Sequence, residues 1–519
     1  MENNIFVLGV VFLPFAGLII ALFVQNDIIS RWIGLAASAS GFVFSVVVLM
    51  QNMSIGPQIY RMGGYEPPFG IVLAADMLSA TFGVMASAIM MAAFLYTLHC
   101  RDKAVRQRSF ISLFLAMQMG LLGGFYTGDL FTMFVFIELL VLSSVALTAI
   151  SDNLLGLEAA MKYLFMSAMG SLFLLIGISS LYASFGSLNM ADIAQQLGTN
   201  ERPLLAITSS IGLLCAFLLK SAVFPFHFWQ PDFHTTAPTP VSAVLSSVVV
   251  KLGVYGVIRL ETLLFVAERD IIGSWLLILG MIGIFFGGLA ALSTYNGKRM
   301  LAYSTFAQVG FILLGVGWGT PLALAAAIIY AFNHAFIKSS LLMLFGVVAS
   351  RTKAKTAALA DVGGVGRTLP AFVGLLYLLG GMALAGLPPM NGFVSKVALV
   401  RSGIDAQSWF YVGAAVVGGS ITLMYMFRTW QLVFQQQTDE DTTKLKDPGV
   451  HDSPLAPALL ISTALALGIF AGPLFTVANR TVEQISDPQI YIDAVNPANA
   501  PEVTDAGPEL TLDTAEGEE

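Results

Sequence analysis

Fourteen stretches of this chain are each about 20 residues long and mostly apolar, the length a helix needs to cross the hydrocarbon core of a bilayer. They run approximately over 5–24, 32–50, 75–98, 110–127, 130–150, 157–184, 204–226, 238–264, 271–293, 300–318, 322–349, 369–397, 408–431 and 455–476. Backbone amides in lipid must be satisfied within the segment, so this pattern predicts an all-α membrane protein of about fourteen transmembrane helices. Composition agrees: of 519 residues, 56% are apolar and 11% charged, against about 25% charged in soluble domains. A soluble enzyme, a nucleic-acid binder and a disordered protein are excluded. The 49 Gly, 38 Phe and 22 Met suit helices packed in lipid. Cys100 and Cys215 are the only cysteines and lie far apart, and the 5 His are scattered, so neither a disulfide framework nor a redox cofactor is expected. Only Met1-Glu2-Asn3-Asn4 precedes the first span, with no positive n-region of a signal peptide.

The charges are placed unevenly. Ten acidic and no basic residues follow Arg480, so the segment 481–519 reads as an acidic tail whose end is solvated and disordered. With fourteen spans both termini share one side. Fourteen Lys and Arg fall to the loops after odd-numbered spans, and six fall to the other side: Arg61, Arg202, Arg259, Arg269, Arg401 and Arg480. The positive-inside rule then puts both termini outside the cytoplasm. Five basic residues remain, all lysines within spans: Lys162, Lys220, Lys251, Lys338 and Lys396. Glu138 is also mid-span, nine residues from Asp129, or roughly 13 Å at 1.5 Å per residue.

A charge at the bilayer centre costs about 2.5–3.5 kcal/mol on insertion scales, and intramembrane ionisable groups generally mark ion pathways. A salt-bridge staple or a snorkelling side chain explains one such lysine more readily than five. Lysine, unlike arginine, can release its proton when buried. A Lys moving toward or away from Glu138 would switch the proton affinity of that carboxylate, the behaviour of a proton gate.

Helix breakers accompany two of the lysines. Lys220 is followed by Pro225, His227 and Pro231, and Gly386-Leu-Pro388-Pro389-Met-Asn-Gly392 precedes Lys396. Proline removes a backbone donor and clashes with the preceding turn, so spans 7 and 12 should be discontinuous. Simple kinks are the plainer alternative. Broken backbone at membrane depth is tolerated where it is buried in protein or lines a wet cavity. The two breaks lie five spans apart, as do Lys162 and Lys338, which suggests two inverted five-helix repeats, spans 4–8 and 9–13. The chain divides accordingly into 1–109 (three N-terminal helices), 110–264 and 265–431 (the two repeats), 432–480 (a cytoplasmic loop and the last helix) and the tail, 481–519.

His334 and Lys338 share a helix face at a four-residue spacing, as do Glu158 and Lys162. His334 reads either as a proton relay or as a hydrogen-bonded structural residue. His227 and His234 flank the first break and either guide protons to the cytoplasmic mouth or cap loop backbone; His99 and His451 read as interfacial. No His and acid spacing suits a tightly held metal.

These motifs resemble the antiporter-like subunits of complex I and of Mrp cation/proton antiporters. The resemblance rests on Phe125-Tyr-Thr-Gly-Asp-Leu-Phe-Thr-Met-Phe-Val-Phe-Ile-Glu138, on Glu158-Ala-Ala-Met-Lys162, on the stretch from Lys220 to Lys251, and on Asn333-His-Ala-Phe-Ile-Lys338 and Gly386-Leu-Pro-Pro-Met-Asn-Gly-Phe. It covers nearly the whole chain. Within that family the sequence looks most like Mrp subunits of the D type, through Gly63–Asp76, Asp487–Val495 and Lys396. The resemblance implies that Glu138 and Lys220 gate a first half-channel, tuned by Lys162. It further implies that Lys251 is the central carrier, that His334 and Lys338 link to a second half-channel, and that Lys396 is its exit. It implies a proton-translocating subunit of a multi-subunit Na⁺ (or K⁺)/H⁺ antiporter in the cell inner membrane. The partners would be other subunits, the lipid bilayer, H⁺ and Na⁺ or K⁺, with no nucleic acid and no cofactor. No all-oxygen cage for Na⁺ is evident, so the cation path is expected in another subunit. A proton-pumping subunit of complex I or of a membrane-bound hydrogenase is the alternative, and a non-transporting membrane scaffold is a second. A membrane enzyme lacks a nucleophile–base pair, a metal set or a nucleotide loop at depth.

Overall fold

A computed structural model describes residues 3–199, 202–353, 356–437, 445 and 451–496. The chain opens with α1 (Ile5–Phe23) and α2 (Asp27–Ile55), then a hairpin of β1 (Gln58–Arg61) and β2 (Val72–Ala75). Next come α3 (Met77–Leu98), α4 (Phe110–Tyr126), α5 (Leu130–Ala149), α6 (Leu154–Phe185), the short α7 (Met190–Thr199) and α8 (Leu204–Lys220). The eighth span begins after α9 (Trp229–Thr236) and is assembled from α10 (Thr239–Val244), a π turn (Leu245–Val249), α11 (Val250–Arg259) and a second π turn (Leu260–Leu264). Then follow α12 (Arg269–Ser293), α13 (Gly297–Trp318), α14 (Pro321–Arg351), α15 (Leu359–Val362), α16 (Ala371–Ala385), α17 (Asn391–Asp405) and α18 (Trp409–Trp430). The described chain closes with α19 (Leu455–Ile469), α20 (Gly472–Ile485) and α21 (Pro488–Val495).

Helix starts follow from local chemistry. Asn4, Asn26, Asp76, Asp129, Asn153, Asn296 and Thr320 each accept a hydrogen bond from the first turn of the helix they precede. Gly186, Gly319 and Gly386 end helices with positive φ. Among the described residues ten helices are long and apolar enough to cross a membrane, or eleven if the bent pair α19–α20 is one span. Three shorter apolar helices, α4, α8 and α16, stand beside them. The chain is a predominantly helical, multi-pass integral membrane protein.

Four features depart from the sequence reading. The fold is not purely α, because β1 and β2 pair antiparallel with Gln58 opposite Ala75 and Arg61 opposite Val72. The last span bends by 80° between α19 and α20, at Phe470-Ala471. Residues 481–495 are not tail: they complete α20 and form α21, and both helices bury apolar residues such as Val482, Ile485, Ile492 and Val495. The tail beyond 496 lies outside the described residues. Span 8 is not a regular α-helix; each of its π turns holds an extra residue, a device that recurs at functional sites.

The bundle has two faces. On one, Asn4 N–H bonds Ile59 O (2.9 Å), Gly128 N–H bonds Val72 O (2.8 Å) and Leu130 N–H bonds Leu188 O (2.9 Å). Met77 N–H bonds Gln484 Oε1 there at 2.5 Å, so α20 and the N-terminus share this hairpin face. On the other, Arg31 reaches Thr97 O (2.9 Å), Gln107 reaches Ile150 O (2.7 Å), and Gly297 N–H bonds Ala357 O (2.8 Å). Asp452 pins the start of α19 to this second, basic face, accepting bonds from Tyr96 Oη (2.8 Å), Cys100 Sγ (3.6 Å) and the Arg101 amide (2.9 Å). Burial and the neighbouring Asp452 carboxylate push the Cys100 thiol up, which keeps it a donor.

α12 and α13 are in closest contact through small residues. A Cβ placed on Gly310 would stand 2.5 Å from Gly280 O, and one on Gly273 would stand 2.6 Å from Gly317 O. Only glycine permits this approach of two backbones in lipid.

Candidate functional site: a chain of buried amino groups

Lys220 is the last residue of α8, where the predicted break begins. Ala222 adopts φ +53°, and the chain is non-helical until α9, with Pro225 inside the gap. The break leaves the Lys220 Nζ free to point at α6, where it donates to Ser167 O and to Ser171 Oγ, both at 3.2 Å. Glu138 Oε1 on α5 lies 3.9 Å from Lys220 Nζ. The Ser171 hydroxyl donates to that same carboxylate oxygen. Glu138 and Lys220 are therefore brought together through a shared serine. Glu138 is 29% exposed and lies on a stripe of exposed apolar residues, Phe131, Val135 and Leu142. A carboxylate within such a stripe faces whatever covers that flank of the bundle.

Lys251 sits one residue past the start of α11, just after the first π turn. Its Nζ lies 2.6 Å from His334 Nδ1 on α14, with Ser246 O at 3.4 Å. Both side chains are almost wholly buried. Lys338, one turn along α14 from His334, turns away and donates to Leu301 O (2.9 Å) and to Ser304 Oγ on α13. His334 thus pairs with Lys251 rather than with Lys338.

The second break follows α16. Gly386 has φ +85°, and Leu387-Pro388-Pro389-Met390 form the turn into α17. Lys396 on α17 folds back across it to donate to Ala385 O at 2.8 Å, and its Nζ lies 5.1 Å above the Phe311 ring. Asn333 holds the turn to α14 by donating to Asn391 O (3.2 Å) and to Ser395 Oγ (2.9 Å), while Asn391 donates back to Asn333 Oδ1 (3.0 Å).

The remaining expected residues lie elsewhere. Lys162 is 41% exposed and is held by Glu158 (2.6 Å) and Asp232 (2.8 Å), with Arg299 3.4 Å from the same Asp232. Among the described residues no bond joins it to Lys220. His227 sits among Phe224, Phe286 and Phe306, with ring centroids 4.6–5.5 Å apart. His234 is buried, with Nδ1 2.8 Å from Ser242 Oγ.

Arg259 is not a loop residue. It ends α11 and is 4% exposed, donating to both oxygens of Asp76 at 2.6 and 2.5 Å. Ser79 Oγ (3.0 Å) and Tyr255 Oη (3.1 Å) complete its partners, and the Tyr491 ring of α21 covers it at 4.9 Å. Neutralisation by an acid on α3's N-cap makes the burial tolerable. A second acid, Glu261 in the second π turn near the end of the same span as Arg259, is fully buried within the protein. Span boundaries of 238–264 enclose both residues, and that is the signal available in the sequence. Ser171, Ser304, Asp232 and Asp76 give no comparable signal, because their partners are distant in the chain.

The fold and the site together define a polytopic membrane protein threaded by buried, hydrogen-bonded amino groups between two broken helices. The chain belongs to the NADH:quinone oxidoreductase/Mrp antiporter transmembrane family, which matches residues 127–422. It is 29% identical to the D subunit of the Na(+)/H(+) antiporter of Alkalihalophilus pseudofirmus (strain ATCC BAA-2126 / JCM 17055 / OF4), over 95% of this chain and 99% of the relative. It is 33% identical to the N subunit of the NADH-quinone oxidoreductase of Desulforudis audaxviator (strain MP104C), over 85% and 89%. It is 29% identical to the D subunit of a probable K(+)/H(+) antiporter of Rhizobium meliloti (strain 1021), over 93% and 95%. Its fold is shared with a chain of the Mrp complex from Dietzia sp. DQ12-45-1b (TM-score 0.86, 22% identity, 95% and 99% covered). The same holds for a chain of the membrane-bound sulfane sulfur reductase, an archaeal respiratory membrane complex (TM-score 0.85, 25% identity, 94% and 99% covered).

Proposed function

We propose that this chain is the proton-translocating subunit of a multi-subunit Na⁺ or K⁺/H⁺ antiporter. The observation that carries this reading is the pair of buried contacts, Glu138–Ser171–Lys220 and Lys251–His334, each standing beside an irregularity in its helix. Amino groups can be loaded and unloaded with protons, where guanidinium groups cannot. In this reading protons pass by way of Glu138, Lys220, Lys251, His334 and Lys338 to Lys396. Glu158, Lys162, His227 and His234 modulate the basic-face side, and the cation crosses elsewhere in the complex. Relatives named as D subunits of Na⁺/H⁺ and K⁺/H⁺ antiporters support it.

The finer architecture belongs to the same proposal. The long helices, the bent pair and the three shorter apolar helices together make fourteen crossings. Spans 4–8 and 9–13 form two inverted repeats whose breaks correspond. The basic face is cytoplasmic, which puts both described ends on the outer side of a cell inner membrane. Partner subunits cover exposed apolar flanks such as that around Glu138.

The deciding experiment is cation-driven ΔpH in vesicles carrying the assembled complex. Glu138→Gln should abolish antiport while the complex still assembles, and undiminished antiport in that variant overturns the role of Glu138. A second reading, a proton-pumping subunit of a redox-driven complex, is favoured by the relative from the NADH-quinone oxidoreductase. Co-purification distinguishes the two: redox subunits in the second case, further antiporter subunits in the first.

A further inference from the structure

Glu261 is a buried acid that the transport route does not use. It is enclosed in the second π turn, and among the described residues neither of its carboxyl oxygens has a hydrogen-bond partner. Buried polar atoms in native proteins are nearly always hydrogen-bonded. A carboxylate cut off from both water and donors neutralises rather than stay ionised, so in this arrangement Glu261 carries its proton. The charge that acts on it is the guanidinium of Arg269, the first residue of α12. Arg269 does not pair with it. Its Nη2 donates instead to Gly319 O past the end of α13, and its Nε is buried without a partner.

The other charges on the elements packed against this turn are engaged or remote. On α11, Arg259 holds Asp76 and Tyr255 donates to Phe125 O. Arg202, ahead of α8, pairs with Glu268 at 2.9 Å, and Asp192 of α7 accepts from Gln196 at 3.2 Å. Cys215 and Lys220 lie in the far half of α8, and Asp270 of α12 is exposed. The turn also forms one wall of a cavity of about 500 Å³ on the hairpin face, through Leu263 and Leu264. Arg202 and the start of α21 line the cavity too, and Val266 at its rim is 43% exposed, so it opens to the surface. Glu261 is ten residues beyond Lys251 on the same span, or roughly 15 Å toward this cavity at 1.5 Å per residue.

We propose that Glu261 is a proton-binding residue at the hairpin-face end of the eighth span, with the cavity as its vestibule and Arg269 as the counter-charge it gains on release. The inference rests on the proton-translocation reading above and adds an outer terminus to it. On release the O–H bond of the Glu261 carboxyl breaks and the proton passes to water in the cavity. Arg269 turns from Gly319 O to the carboxylate left behind, and loading reverses both moves. A guanidinium keeps its charge throughout, so it neutralises the carboxylate without competing for the proton.

The test uses the complex purified with its partner subunits and reconstituted in lipid. Infrared spectra of the wild type should carry a protonated-carboxyl C=O band that Glu261→Gln lacks and that fades as the pH is raised. In Arg269→Gln, which has no counter-charge for the anion, the band should persist to higher pH. Glu261→Gln should lower antiport about 100-fold, the lower bound for a lost acid–base group. It should also remove the dependence of the residual rate on pH at the hairpin face, with the pH of the other side held constant. Glu261→Asp should keep that dependence, and it decides the case if the Gln variant fails to assemble. A wild type without the band makes Glu261 a standing ion-pair partner of Arg269, and a band that pH does not move makes it a neutral core residue. Either result, or wild-type antiport with a wild-type pH profile in Glu261→Gln, overturns the proposal. If instead the assembled Glu138→Gln complex transports normally, the underlying reading fails, while the infrared band still reports separately on proton exchange at Glu261.

Discussion

At the residue scale, charge can be found in the sequence and its partners cannot. Five lysines and Glu138 stand out because the bilayer makes each of them costly. Their partners come from helices distant in the chain, as with Lys251 and His334, or are serines with no marking feature, as with Ser171 and Ser304. Arg259 and Asp76 show the same limit from the structural side. We expect Asp76→Asn to destabilise the protein by about 3–5 kcal/mol, because it strands a buried guanidinium. Asp76→Leu combined with Arg259→Met should recover most of that loss. Both would be read as melting midpoints of the purified complex, and equal midpoints for Asp76→Asn and wild type would contradict the account. Lys220→Arg keeps the charge beside Glu138 but cannot release a proton. It should assemble normally and lose antiport in vesicle ΔpH assays; wild-type antiport would make Lys220 a static counter-charge.

At the element scale, proline and glycine make the two breaks legible. The chain leaves the helix at Lys220 and at Ala385, where the breakers begin to act. The π turns are not legible, since Leu245–Val249 is an ordinary apolar run and its extra residue is accommodated by packing on α14. The end of α19, just before its bend into α20, is pressed onto the second break: a Cβ on Gly468 would collide with Pro389 O. Gly386 couples backbone to site most directly. Its φ is +85°, and a Cβ there would meet Lys396 Cδ at 2.5 Å. Gly386→Ala should cost about 1–2 kcal/mol in backbone strain and should displace Lys396, so transport should fall further than stability does. Parallel measurements of melting midpoint and antiport rate check this, and unaffected antiport would show that Lys396 tolerates the shift. Across the α12–α13 contact, Gly310→Val should separate the two helices and lower the melting midpoint, at a cost of about 1–3 kcal/mol.

At the scale of the whole molecule, the multi-pass helical character is readable from the sequence, and the connection between the faces is not. The hairpin face gathers β1, β2, α7 and α21, short elements that carry too little hydrophobic length to announce themselves. Sidedness can be measured with single-cysteine variants on a background lacking Cys100 and Cys215. Phe69→Cys on the hairpin, where the native side chain is 96% exposed, should react with an impermeant maleimide from outside intact cells. Asp152→Cys, in the α5–α6 connection on the basic face, should react only after permeabilisation. Reversed labelling would invert the assigned orientation.

The Asp76–Arg259 pair joins the third and eighth spans, and its ceiling is Tyr491 in α21. A ribosome delivers those two spans well before it delivers α21. A chain that has emerged through Leu264 but not yet through Pro488 therefore holds both partners of the pair and lacks the ring that covers it. A nascent chain interrupted before Pro488 would present a half-open ion pair on the hairpin face.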